Sequence, residues 1–183
     1  MKRILPIWLG NTIEAMGILV GIGFLFSINL MAHPVLRFIT TLASMVCFWY
    51  FPHCLSHFII GRALGIRFTH YRITKSSLAK LKSPFFLSLL LSFPTLGLVI
   101  DKNSLSRTVP LRRAMMHSSG VIASMLLPAI PLIYSLSKMP SWVNLLLFFL
   151  FTFNLFFSLY ASSKAGDLRR ARRALKMVRD GRS

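Results

Sequence analysis

Long apolar runs separated by short basic segments organise this chain. Residues 4–32, 37–61, 114–136 and 142–161 form four such runs, each long enough to cross a hydrocarbon core that takes about 20 helical residues. A fifth stretch, Pro84–Ile100, is apolar over only about 17 residues and is interrupted by Pro94 and Gly97. The pattern predicts an all-α polytopic membrane protein: one domain over 1–183, with four spans and a re-entrant or interfacial segment at 84–100.

The basic positions decide between four spans and five. If Pro84–Ile100 crossed the membrane, the loop 101–113 and the basic tail would face the side opposite the first basic loop, against the positive-inside rule. If it re-enters or lies at the interface, only Arg37 and Lys138 of the 22 Lys and Arg residues fall on the far side. Both termini are then cytoplasmic, as expected for an integral protein of a prokaryotic plasma membrane. Met1-Lys2-Arg3 resembles the start of a signal peptide, but the apolar run after it is too long for one and contains Asn11 and Glu14. A retained first span is the expectation.

Composition supports this assignment. The chain is 55% hydrophobic and carries 22 basic residues against 4 acidic ones, a formal charge of +18. Because the charge lies between apolar spans, anionic lipid headgroups explain it better than nucleic acid. The tail 162–183 reads as a basic amphipathic helix on such headgroups, with Leu168, Ala171, Leu175 and Val178 on one face. Cys47 and Cys54 stand about 10 Å apart on one predicted helix, too far to bridge. Gly17, Gly21 and Gly23 permit close helix contact, and the phenylalanines of the last span are lipid- or helix-facing bulk.

Candidate chemistry begins at His53 and His57, four residues apart near the end of the second run. On a helix that spacing puts both imidazoles on one face, where they can share a metal ion or bond to neighbouring helices. Pro52 breaks the hydrogen-bond ladder just before them, which a bilayer tolerates only beside packed protein or a cavity. Glu14 is the sole glutamate and falls within the first span. Counted from the cytoplasmic ends, Glu14 and His53 come to similar depth, about 12 Å for the histidine. Asp167 comes after Gly166 at the start of the tail helix and by position reads as a helix N-cap. His33, His70 and His117 lack spacing partners and read as loop or packing residues.

His53-Cys54-Leu55-Ser56-His57 resembles the HExxH helix of membrane-embedded site-2 proteases, and Gly61 to Phe68 resembles the segment leaving it. The stretch His117 to Ser124 is similar to the small-residue opening of a later core helix in that family, and Ser163 to Arg170 falls where the family supplies a ligating aspartate. The resemblance spans roughly 40–175 and implies zinc held by His53, His57 and Asp167. Two departures stand out. Cys54 occupies the place of the glutamate that polarises water, and Asp167 lacks the family's Asn-Pro approach and Gly-Gly continuation. A thiol is a poor base in its protonated form, so the base would be Cys54 or, brought from another helix, Glu14. The resemblance thus implies a zinc-binding intramembrane metalloprotease or a degenerate member of that group, acting on membrane-embedded peptide from the cytoplasmic side. The alternative is an inactive scaffold that binds a transmembrane partner helix. A metal-ion transporter is disfavoured by the scarcity of intramembrane carboxylates.

Overall fold

The computed structural model describes residues 3–75 and 94–180. These residues are mostly helical, and among them four helical stretches are long and apolar enough to span a membrane: Ile7–Leu30, Pro34–Ala63, Pro110–Ser135 and Ser141–Lys164. The first is α1 (Ile7–Ser27) continued by a short 3-10 turn; the second is α2 (Pro34–Tyr50) followed by α3 (Pro52–Ala63). Pro52 has no N–H to give, so the ladder breaks at Phe51 and a new helix starts with the proline in its first turn. Gly65, at φ +83°, ends α3 by letting Ile66 N–H return to the Gly61 carbonyl at 2.8 Å.

The short α4 (Lys102–Ser106) starts at Asp101, whose carboxylate accepts from Asn103 N–H at 3.1 Å. Next come α5 (Pro110–Leu126) and α6 (Ala129–Ser135), which make the third span, then α7 (Ser141–Ala165) and the tail helix α8 (Asp167–Arg179). His33, expected as a loop or packing residue, caps α2 instead: its Nδ1 accepts from Val35 N–H at 3.3 Å.

Beside the helices stands a small antiparallel sheet that the hydrophobic pattern did not announce. Its order is β1 (Arg3–Leu5), β2 (Phe68–Lys75), β3 (Pro94–Ile100), with Leu5 opposite Tyr71 and Ile73 opposite Leu96. Of the segment expected to re-enter or lie at the interface, Pro94–Ile100 is extended, each residue paired across to β2. Residues 84–93 of that segment lie outside the described residues. Tyr71, fully buried, ties the sheet to α1: its hydroxyl donates to Asn11 Oδ1 at 2.7 Å and its ring fills the space left by Gly10.

Packing depends on where small residues let helices approach. The ring of Phe51 occupies the place of a Gly17 side chain, and Gly21 meets Cys47, with Ser44 Oγ donating to the Gly21 carbonyl at 2.7 Å. Gly23, expected to share this role, faces open space. One apolar core joins Leu25, Ile28, Met45, Leu132, Val143 and Leu147 across the four spans. A second, of Ile66, Phe68 and Met116, fastens the sheet region to α5. Arg37 Nη1 donates to the Lys138 carbonyl at 2.9 Å, so the two basic residues excepted by the charge pattern meet at one end of the bundle. Phe148, Phe149, Phe153 and Phe156 face outward, as hydrocarbon contact requires.

Candidate metal centre

The restart of the helix at Pro52 puts His53 and His57 one turn apart on the face of α3 that packs against α5. Their rings meet edge to face with centroids 4.8 Å apart. The backbone turn at Gly166 then brings the first residue of α8 over them. Leu168 N–H is taken by Ser162 Oγ at 3.0 Å, and no side chain caps the helix from the N-cap position. Asp167 is therefore not the cap that its position after Gly166 suggested. Its carboxylate is free to face the histidines.

Asp167 Oδ2 lies 3.3 Å from Nε2 of His53 and 3.3 Å from Nε2 of His57. His53, His57 and Asp167 form a group able to hold a metal ion, each offering one ligand atom and all within 4.8 Å of one another. A tetrahedron with arms of about 2.0–2.1 Å, as zinc has with nitrogen and oxygen ligands, has edges of roughly 3.3–3.4 Å. Two of the three edges here match.

The opposite ring nitrogen of His57 limits what can lie between the ring and the acid. His57 Nδ1 lies 2.6 Å from the Met116 carbonyl oxygen, which can only accept, so the proton sits on Nδ1. With the ring neutral, Nε2 turns a lone pair toward the carboxylate oxygen; with the ring protonated at both nitrogens, Nε2 donates to it. Two acceptors at that separation need a proton or a cation between them. His53 Nδ1 is held by Ser124 Oγ at 3.1 Å. Such outer partners orient ligating imidazoles. Gly120 completes the cradle: a Cβ there would meet His57 Nε2 and would stand 2.6 Å from the His53 carbonyl oxygen.

His117, read from sequence as a loop or packing residue, is buried with its Nδ1 3.7 Å from Asp167 Oδ1. Exposed Arg170 adds its Nη1 at 3.1 Å to the same oxygen. The carboxylate thus turns one oxygen to the histidine pair and rests the other on these two. Burial alone would raise the Asp167 carboxyl, but the surrounding His117, His53 and His57 side chains outweigh that and hold it well below the usual carboxylate range. The only signal for His117 in the sequence was its place at the head of the stretch ending at Ser124, since its partner lies far along the chain.

Glu14 and Cys54 stand together beside this cluster and outside the ligand group. Glu14 is 2% exposed; its carboxyl faces the Leu55 backbone N–H and the Cys54 thiol, and its Oε2 has no hydrogen-bond partner among the described residues. The Cys54 thiol donates to the Leu96 carbonyl of β3 at 3.0 Å. The first span therefore delivers its carboxylate to the residue next to His53, and the sheet occupies the thiol. His70 makes a local contact with Thr69 Oγ1 at 3.0 Å, away from the site. Comparison with family models, curated proteins and solved structures finds no match for the chain.

Proposed function

We propose that this chain is a zinc-binding intramembrane metalloprotease of the site-2 kind, acting on membrane-embedded peptide. The observation that carries the reading is the pair of 3.3 Å separations between Asp167 Oδ2 and two imidazole nitrogens, one of which cannot carry a proton while its ring is neutral. His53, His57 and Asp167 would be the ligands, and three protein ligands suit a catalytic site better than a structural one. Zinc held there would lower the pKa of a coordinated water and polarise a peptide carbonyl.

The chain's own residues supply the rest. Met116 and Ser124 fix the imidazoles, and His117 and Arg170 steady the carboxylate. Glu14, set against Cys54 at the place of the family's glutamate, is the base that takes a proton from the attacking water and returns it to the leaving amine. With the basic loops and tail on the cytoplasmic side, the substrate would be reached from there.

The alternative, an inactive scaffold for a transmembrane partner helix, is favoured by one observation: the Cys54 thiol is committed to the Leu96 carbonyl and so offers no base of its own. The deciding experiment measures metal in purified protein, wild type against His53→Ala with His57→Ala, without chelators and with zinc supplied. About one zinc per chain, lost in the variant, is the expected result. No bound metal would transfer the reading to the scaffold.

A further inference from the structure

The outward faces of α3, α5 and α8 leave between them a groove of about 650 Å³. It is walled mainly by Ile60, Leu111, Met115, Ile122, Leu126 and Leu175, so its surface is nearly all hydrocarbon. Leu111, Met115, Ile122, Leu126 and Leu175 remain 46–59% exposed. Between Leu111 and Leu126 the groove runs along α5 for about 22 Å, beyond the ~15 Å depth of one hydrocarbon leaflet. A single acyl chain is slender enough to enter.

Charge marks one end of the groove. Leu111 adjoins exposed Arg112, in a first turn of α5 that no side chain caps. On α8, exposed Arg172 and Arg179 lie three residues before and four after Leu175, on its side of the helix. Asp167, the only acid of α8, is turned inward to the histidines. Exposed cations on the two helices that wall an apolar channel match a phosphate above a hydrocarbon tail.

We propose that this groove seats one acyl chain of an anionic phospholipid, with its phosphate held by Arg112, Arg172 and Arg179. The lipid bridges α5 and α8, which otherwise meet through the small residues Ala114, Ala171 and Ala174. The seat does not depend on the metal assignment.

The test uses the full chain in mixed micelles containing equal phosphatidylglycerol and phosphatidylcholine, with retained lipid counted by native mass spectrometry. One phosphatidylglycerol per chain in preference to phosphatidylcholine is expected. Arg112→Gln, Arg172→Gln and Arg179→Gln should each lower retention about fivefold, while lysine at the same positions keeps it. A photoreactive residue at Ile122 should capture the lipid. Equal retention of the two lipids by the wild type overturns the proposal without recourse to any variant. So does capture of a polypeptide at Ile122, or displacement of the lipid by glycerol phosphate alone, which would show an anion site without a seat for the chain.

Discussion

His57 donates from Nδ1 to the Met116 carbonyl oxygen at 2.6 Å, and this one bond determines which face of the imidazole can bind a cation. The ring can hold that position only because Gly120 has no side chain. Gly120→Ala would place a carbon against His57 Nε2 and the His53 carbonyl, with backbone on one side and the ligand atom on the other. Metal affinity should fall at least about tenfold, as when an outer-shell support is lost, while the helix itself, better served by alanine, persists. Zinc titration with circular dichroism on the same samples checks both halves.

The role proposed for Glu14 can be tested apart from metal binding. Because its carboxyl meets Cys54 and lies outside the ligand group, Glu14→Gln should leave zinc content unchanged. Cleavage of a transmembrane peptide should drop by about 10²–10⁴-fold, the usual worth of a general base. Loss of metal in this variant would make Glu14 structural, and unchanged cleavage would remove it from the reaction.

Parts of this arrangement were legible in the sequence and parts were not, for physical reasons. The four spans could be read because bilayer thickness fixes a run length, and the His53 and His57 pair because helical periodicity is local. Asp167 emerged only through the family resemblance, since the turn at Gly166 that aims it is a property of the backbone. The sheet was hidden because β2 carries Arg72 and Lys75 and so read as a basic loop, while its partner β3 read as membrane-seeking. Pairing between distant segments leaves no local period. His117 was passed over on the same ground: its contact is with a carboxylate 50 residues further on.

The glycines of α1 predict opposite effects from the same change. Alanine favours a helix over glycine by about 1 kcal/mol, so Gly23→Ala, facing open space, should be neutral to stabilising. Gly17→Ala meets Phe51 at the base of its ring, which cannot swing aside, just before the Pro52 break. Overpacking of this kind costs roughly 1–3 kcal/mol. Thermal unfolding in detergent should order them Gly23→Ala, wild type, Gly17→Ala; equal midpoints would contradict the close approach of α1 and α2.

His117 offers the test of whether the aspartate is steadied from behind. It touches neither imidazole nitrogen that faces the metal position; it lies against Asp167 Oδ1, the oxygen turned away from the pair. His117→Ala should therefore leave all three ligands in place yet weaken zinc binding about 10–100-fold, because the carboxylate must then be ordered at the moment of binding. His117→Asn, whose amide can donate from nearly the position of Nδ1, should recover most of that loss. A purely space-filling role predicts the opposite ranking, with leucine restoring affinity and asparagine failing, so zinc titration of the three variants decides which property of His117 the site uses.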